Sequence, residues 1–407
     1  MQDQKPVSVF NIAVIVAALG YFVDIYDLLL FSIIRVPSLR DLGLNDAQLA
    51  SDGLFIINMQ MIGLLIGGIL WGVLADKKGR LKVLYASIVL YSLGNIANGF
   101  VQTVEQYAFI RFVSGIGLAG ELGAGITLVS ELLPKNKRGI GTSLVAGIGL
   151  TGAVVAFFMK ENFHWRTCYF IGGGLGFLLL FLRVGVLESV MFKGIQHANV
   201  VKGNFFMFFT NKKRLKKYIL TILIGLPTWF VIGILVSFSK EFGENMHVIG
   251  VVDPGKAIMF AYAAISIGDI AIGFISQALK SRINSLYIFY GITAIGMFLF
   301  FNLEGQDVSM LYIACAVLGF GTGFWAIFVT IAAEQFGTNI RATAATTAPN
   351  MVRGSLVLIS LLFTSLQTSF TYVQSGWITG IIIMLITVTS AYFSEETYHK
   401  DLDYVEV

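Results

Sequence analysis

The chain has 407 residues, of which 56% are hydrophobic and only 13% are charged. Soluble domains carry roughly 25% charged residues, so this composition excludes an ordinary soluble protein. The formal net charge of +4 lies in short polar segments between long apolar runs, so it does not indicate a nucleic-acid partner.

Twelve apolar runs predict an all-α integral membrane protein that contacts the lipid bilayer. A membrane-spanning helix needs about 20 predominantly apolar residues, and each run is about that long. The approximate limits of the predicted spans are 10–33, 52–75, 82–102, 105–132, 139–159, 165–187, 218–239, 257–279, 285–303, 309–333, 345–369 and 373–393. Pro227 within span 7 predicts a kink.

The placement of Lys and Arg predicts the orientation in the membrane. With both termini in the cytoplasm, nineteen of these residues fall on inner segments, and six fall on outer segments, namely Arg35, Arg40, Lys160, Arg166, Lys240 and Lys256. Cytoplasmic loops are enriched in Lys and Arg, so we expect both ends inside, in a bacterial inner membrane. The basic run 212–217 fits this bias better than the alternative, a site for anionic lipid.

A charged turn joins spans 2 and 3, with the sequence Gly72-Val-Leu-Ala-Asp76-Lys-Lys-Gly-Arg80-Leu-Lys. It resembles the Gly-x-x-x-Asp-[Arg/Lys]-x-Gly-Arg-x-[Arg/Lys] loop between spans 2 and 3 of the major facilitator superfamily of transporters. A degraded copy lies 201 positions further on, at 273–282, with Gln277 in place of the acid.

A second pair of markers repeats at nearly the same offset. Glu131 and Arg138 follow span 4, and Glu334 and Arg341 follow span 10, with the same spacing of seven. Two repeated markers predict duplicated halves: a six-helix bundle over 1–192, a cytoplasmic linker over 193–217, and a second bundle over 218–407. The superfamily resemblance implies the major facilitator fold of two pseudo-symmetric bundles, with a substrate site between them.

The ends of both halves indicate which branches of the superfamily the chain resembles. Leu187-Glu188-Ser189 and the segment from Glu396 to Asp403 are similar to the endings of the sugar porters and the metabolite:proton symporters, although the usual prolines are absent.

Span 1 carries two acids, Asp24 and Asp27, within Gly20-Tyr-Phe-Val-Asp-Ile-Tyr-Asp. An ion at the centre of a span costs roughly 2.5–3.5 kcal/mol, so such residues are functional candidates. The two acids share a helix face and cannot both ionise easily, which favours exchange of a proton. For Asp24 the alternative is a polar cap near the outer end of the span. The resemblance to proton symporters implies that Asp27 couples transport and that Arg111 of span 4 pairs with it.

Candidate substrate-binding residues lie in both halves. Arg353 and Asn350 are three apart in span 11 and share a face. Arg353 either binds an anionic substrate or neutralises Asp269 of span 8, and we leave both interpretations open. Further candidates for the cavity are Asn58, Gln60, Glu121, Trp229 and Trp325; for the two tryptophans, packing is the alternative.

The resemblance assigns gating to the charged loops. Asp76 would contact the positive N-terminal end of a helix from the other half, while loop arginines and glutamates would exchange ion pairs. Because Gln277 replaces the acid in the second copy, we expect the contact that this copy makes with the other half to be weaker. The gating candidates are Gly72, Asp76, Arg80, Glu131, Arg138, Glu334 and Arg341.

These patterns predict a secondary transporter and no enzyme. The chain has no Gly-x-x-x-x-Gly-Lys-[Ser/Thr] segment for ATP, so we expect no cofactor, with the proton as the coupling ion. We expect a monomer that imports a small polar metabolite by symport: an organic acid, an amino-acid-like compound or a sugar, with an anion favoured by the two intramembrane arginines. A proton-driven efflux antiporter for a metabolite, siderophore or drug, and a non-transporting receptor of the same fold, are the alternatives.

Overall fold

The computed structural model describes residues 12–133, 135–182, 203–398, 400 and 404–406. These residues are mostly helical, with one isolated β-bridge between Ile249 and Asp307. The side chains of Arg80, Glu131 and Arg138, three gating candidates, lie outside the described part of the chain, as does the segment around Glu188.

Spans 1 to 6 form the first bundle, in which spans 4 and 5 are broken near the middle. The helices are Ile12–Asp41, Asp46–Lys78 and Arg80–Asn98 for spans 1 to 3, Val104–Leu118 with Glu121–Leu132 for span 4, Lys135–Leu150 with Gly152–Asn162 for span 5, and Trp165–Leu182 for span 6.

Spans 7 to 12 form the second bundle, in which spans 7, 10 and 11 are broken. The short helix Met207–Thr210 precedes it. Span 7 comprises Lys212–Ile224, Leu226–Phe230, a π-helical stretch Val231–Val236, and Ser239–Asn245. The remaining helices are Pro254–Leu279, Arg282–Phe301, Val308–Gly321 with Trp325–Glu334, Arg341–Gly354 with Leu356–Leu366, and Tyr372–Tyr392.

The prediction of a twelve-span all-α membrane protein is confirmed. Within the described residues, ten helices are long and apolar enough to cross a membrane. Span 3, a helix of 19 residues, and the two-part span 4 complete the pair of six-helix bundles.

Two helix boundaries differ from the limits that hydropathy predicted, because in both cases the helix includes charged residues at its end. Span 7 begins at Lys212, before the predicted 218, because Asn211 caps the helix and lysines are good helix formers. Span 1 continues to Asp41 and carries Arg35 inside the helix, fully buried. The assignment of Arg35 to an outer loop is therefore wrong: an apolar window stops at a charge even when the helix continues and the charge finds partners.

Glycines let spans 2 and 4 pack with their backbones in contact. A Cβ atom on Gly63 would collide with the carbonyl of Phe112, and one on Gly115 would collide with that of Gln60. Small residues allow this close approach of membrane helices. It fixes the position of span 4, and hence of Arg111, against spans 1 and 2.

The breaks in spans 7, 10 and 11 fall near the middle of each span, beside Trp229, Trp325 and Arg353. Interrupted backbone inside a membrane needs hydrogen-bond partners. Asp269 of span 8 supplies one, since its Oδ1 accepts the Ala326 N–H at 3.0 Å. Discontinuous helices of this kind are typical of transporter substrate sites.

Candidate functional site

A cavity lies between the two halves at the level of these breaks. Its walls come from spans 1, 5, 7, 8, 10 and 11. In this form its volume is about 10 Å³, enough for about one water molecule, so a larger ligand enters only when the walls move apart. The lining residues are Tyr21, Ile25, Leu28, Leu150, Thr228, Trp229, Tyr262, Ile265, Trp325 and Arg353.

Arg353 is the charged group of this cavity, and its side chain is 1% exposed. Its Nη1 donates to Asn350 Oδ1 at 3.2 Å, and its guanidinium carbon lies 5.8 Å from the centroid of the Trp325 ring. No ion pair joins Arg353 to a carboxylate in the described part of the chain. The interpretation that Arg353 neutralises Asp269 is therefore wrong, since Asp269 bonds to the span 10 backbone instead.

Three donor groups of the cavity lining have no hydrogen-bond partner among the described residues. They are Arg353 Nε, Trp325 Nε1 and the Thr228 hydroxyl, and all are buried. Buried donors without partners are costly, by about 1–3 kcal/mol each and more for charged groups. A carboxylate, with two acceptor oxygens, can accept hydrogen bonds from donors of this kind.

The rest of the cavity wall is aromatic and aliphatic. Tyr21, Tyr262, Trp229 and Trp325 surround the arginine with ring surfaces. A site with one cation and several rings can hold a flat anion by a charge-assisted hydrogen bond at one end and ring contacts along its faces.

A buried ion pair lies beside the cavity, in the first half. Arg111 Nη1 donates to Asp27 Oδ1 at 2.9 Å, and its Nη2 donates to the Asp27 carbonyl at 2.9 Å. Neither side chain is exposed. The other carboxylate oxygen, Oδ2, is buried with no hydrogen-bond partner among the described residues. The structure thus joins the two residues whose pairing the resemblance to proton symporters implied.

Gln60 and Tyr169 hold Arg111 in place. Gln60 accepts from Arg111 Nε at 3.3 Å and donates to the Leu28 carbonyl at 3.0 Å. The Arg111 guanidinium lies 5.8 Å from the Tyr169 ring centroid. Gln60 therefore supports the ion pair and is not part of the cavity lining.

Asp24 lies on span 1 between this ion pair and the cavity. On a helix, Asp24 is about 60° from Asp27 and within about 60° of Tyr21, which lines the cavity. Asp24 is fully buried, so it is an interior acid and not an exposed cap.

The other predicted binding residues lie outside the cavity lining. Asn350 donates to the Ala119 carbonyl of span 4 at 2.9 Å, and Asn58 donates to Ser360 Oγ of span 11 at 3.2 Å, so both connect the halves. Glu121 is buried at the start of the second helix of span 4. Asp269 caps a helix, as described above.

Asp76 closes the end of the molecule that we call the inner end. Its Oδ2 accepts the Thr343 N–H at 2.7 Å and the Thr343 hydroxyl at 2.6 Å, and its Oδ1 accepts the Ala342 N–H at 3.3 Å. The acid of the first half thus caps span 11 of the second half. Gly72 permits this contact, because a Cβ there would lie 3.1 Å from Thr343 Cα.

The second copy of the motif makes a network within its own half. Arg282 Nη2 lies 3.1 Å from Glu334 Oε1, and Thr397 Oγ1 donates to Glu334 Oε2 at 2.8 Å. Arg341 donates through Nε to the Ala333 carbonyl at 3.2 Å. These contacts tie spans 9, 10 and 11 together.

Arg35 and Glu241 close the opposite, outer end, and the sequence did not predict this contact. Arg35 Nη2 lies 2.8 Å from Glu241 Oε1 and 3.1 Å from Oε2, and its Nη1 donates to the Leu49 carbonyl at 2.8 Å. Its guanidinium carbon lies 4.6 Å from the Phe238 ring centroid. Lys160 and Asp253 form a second outer pair between the halves, at 2.6 Å.

The sequence also missed the three lining residues that carry a hydroxyl group, Tyr21, Thr228 and Tyr262, besides the four aliphatic ones. A signal existed for two of them: Tyr21 precedes Asp24 by one helical turn, and Thr228 follows Pro227. For Tyr262 the sequence offers none, because its inward orientation depends on how span 8 rotates against spans 1 and 11.

Comparison with known proteins identifies the family of this chain. The family model of the Major Facilitator Superfamily matches residues 12–360. The niacin transporter NiaP of Acinetobacter baylyi is 25% identical over 98% of both chains, and the 3-(3-hydroxy-phenyl)propionate transporter of Escherichia coli is 27% identical over 72% of both. The solved proton:xylose symporter XylE, bound to 6-bromo-6-deoxy-D-glucose, superposes with a TM-score of 0.72 at 19% identity over 97% of both chains. The chain is a multi-pass membrane protein that belongs to the major facilitator superfamily.

Proposed function

We propose that this transporter imports a small carboxylate that bears a flat ring, together with a proton, across a bacterial inner membrane with both termini in the cytoplasm. The observation that carries the proposal is the cavity in which Arg353 has no carboxylate partner and two further donors are unsatisfied. Niacin and 3-(3-hydroxyphenyl)propionate, named for two relatives, are both rings with one carboxylate.

The charge of Arg353 is what selects the anion. A buried guanidinium without a carboxylate partner is costly, so binding of a carboxylate gains more here than at an exposed site. Trp229, Trp325 and Tyr262 then contact the faces of the ring.

The Asp27–Arg111 pair couples the proton. Protonation of Asp27 at its unpartnered Oδ2 weakens its attraction to Arg111 and loosens spans 1 and 4 from each other. Asp24 lies between this pair and the cavity, so it can relay the proton. The energy of the proton gradient thereby reaches the helices that line the site.

Alternating access uses the two closures between the halves. Opening toward the outside requires separation of Arg35 from Glu241, and opening toward the inside requires separation of Asp76 from the span 11 N-terminus. Each closure is a small set of polar contacts, so a rocking motion can exchange one for the other.

Binding of matched acids and amides to the purified protein tests the substrate class. We expect nicotinate, benzoate or 3-phenylpropionate to bind, and the corresponding uncharged amide to bind at least about tenfold more weakly in titration calorimetry. Arg353→Ala should weaken binding of the acid by about 30-fold or more, because loss of one partner of a buried charged pair costs about 2–5 kcal/mol.

Asn58→Ala serves as the control, because Asn58 joins spans 2 and 11 outside the cavity lining. It should leave the ratio of acid to amide affinity unchanged. The proposal fails if none of the acids binds better than its amide, or if Arg353→Ala weakens acid and amide equally.

A further inference from the structure

A large apolar groove opens on the lipid-facing side where span 2 of the first half meets spans 7, 11 and 12 of the second. Its volume is about 600 Å³, and every lining side chain is apolar except that of Ser355. Leu358, which is 70% exposed, and Ile386 lie on its open side. Leu65 is the first half's closest contact to Gly354, so the groove follows the boundary between the halves.

Three lysines with exposed side chains, Lys212, Lys213 and Lys216, lie at the inner end of span 7, and we call them the basic patch. The neighbouring Lys217 pairs with Glu395 at 2.8 Å, and Arg214 pairs with Glu406 at 3.4 Å. The basic patch forms no ion pair within the residues that the structure describes. Glu395 interacts electrostatically with Lys216 but is paired with Lys217, so the three lysines have no carboxylate of their own and can bind an external anion.

Exposed aromatic side chains surround the basic patch. Phe206 precedes the short helix before span 7, Phe209 lies within that helix, and Tyr392 and Phe393 lie at the end of span 12; all four are more than half exposed. The Lys216 Nζ lies 5.6 Å from the Phe393 ring centroid. Aromatic rings beside basic residues are typical of the level of the lipid headgroups.

One face of span 7 connects the basic patch to the groove. This face contains Lys212, Lys216, Ile219 and Leu223, at helical spacings of four, three and four, and Leu223 lines the groove. Leu226, also in the lining, lies ten residues beyond Lys216, which is about 15 Å along a helix. That equals about half of the 30 Å hydrocarbon core, the depth that one acyl chain reaches from its headgroup.

We propose that an anionic diacyl phospholipid binds at this place, with its phosphate on the basic patch and one acyl chain in the groove. The charge complementarity selects an anionic headgroup over a zwitterionic one. The acyl chain contacts span 2 and spans 7, 11 and 12 together, so the lipid stabilises the closed arrangement of the halves seen here. This binding does not depend on the transported substrate.

Native mass spectrometry of the full chain with equal amounts of phosphatidylglycerol and phosphatidylcholine tests the proposal. The unchanged protein should retain phosphatidylglycerol preferentially. The triple variant Lys212→Gln, Lys213→Gln, Lys216→Gln should bind it about 100-fold more weakly, at about fivefold per lysine. Lys280→Gln, an exposed lysine at the inner end of span 8, should bind it as the unchanged protein does.

The groove is tested separately with two tryptophans on span 11. Leu358→Trp fills the groove and should lower phosphatidylglycerol retention at least about tenfold, whereas Leu361→Trp, exposed but outside the groove, should not. If the triple variant is unstable, the single variant Lys216→Gln should still show a loss of about fivefold. Equal retention by the lysine variants and Lys280→Gln, or by the two tryptophan variants, overturns the proposal.

Discussion

Two buried arginines near the centre of the molecule differ in their partners. Arg111 is paired with Asp27 at 2.9 Å within the first half. Arg353 donates a hydrogen bond to an amide oxygen and lies over an aromatic ring, and it forms no ion pair with a carboxylate among the described residues. A buried charge that already has a carboxylate gains little from a second one, so we propose that the substrate anion binds Arg353 and that the proton binds Asp27.

Asp27→Asn should abolish accumulation of substrate against a gradient while leaving exchange intact. The amide keeps a neutral oxygen for Arg111 and mimics the protonated acid, but it cannot give up a proton. In proteoliposomes, we expect counterflow near the original rate and net uptake driven by a pH gradient at background level.

Asp52→Asn is the matched control, because Asp52 lies at the outer end of span 2, away from the buried pair. It should keep both activities. Gradient-driven accumulation by Asp27→Asn would contradict the coupling role of Asp27.

Individual spans of this protein are interrupted next to the cavity, which lets them bend there. Span 7 is divided at Gly225 and again around Phe238, with a π-helical stretch between, and span 11 is divided at Ser355. Such interruptions place short, separately movable pieces next to the cavity, and π-helical stretches are frequent at functional sites. The outer piece of span 7 carries Glu241, so it moves together with the outer closure.

Glu241→Gln should open the outer end. It removes one charge from a largely buried pair and leaves Arg35 uncompensated, a change that costs about 3–5 kcal/mol for fully buried pairs. With Thr228→Cys as the reporter and the two buried native cysteines replaced by alanine, we expect labelling by an impermeant thiol reagent from outside to rise by about tenfold or more.

Glu244→Gln, on the same short helix but in a surface pair with Lys240, should leave the labelling rate unchanged. Equal labelling of the two variants would exclude Arg35–Glu241 as the outer closure.

Asp76→Asn should open the inner end to a smaller extent. A carboxylate at a helix N-terminus contributes about 0.3–2 kcal/mol, and the amide retains a hydrogen-bond acceptor. In inside-out vesicles, labelling of the same cysteine should rise severalfold. Asp307→Asn removes a helix cap at the opposite end, where Asp307 accepts from Ser309 within one half, and should have no such effect. A rise with Asp307→Asn and none with Asp76→Asn would contradict the assignment.

Local sequence patterns were enough to predict the membrane-spanning helices, because hydropathy windows locate the spans and charged loops mark their ends. They failed where a helix continues past a charge, as at Arg35 in span 1 and Lys212 in span 7. They also could not predict the contact between Arg35 and Glu241, which depends on how the two halves pack.

At the scale of the whole molecule, two six-helix bundles meet around a small cavity with polar closures at both ends. The closed cavity holds about one water molecule, so transport requires one closure to separate while the other persists. The cavity takes side chains from six spans, and their convergence depends on helix rotations that no single segment of sequence determines. This is why the sequence predicted Arg353, Trp229 and Trp325 but missed Tyr262.

The central claim is that a carboxylate bound at Arg353 enters together with a proton. The most direct measurement is accumulation of a radiolabelled acid that binds the purified protein, in proteoliposomes with an acidic exterior. The account predicts concentrative uptake that collapses with a protonophore and is absent in Arg353→Ala. Accumulation unaffected by the protonophore, or retained in Arg353→Ala, would contradict it.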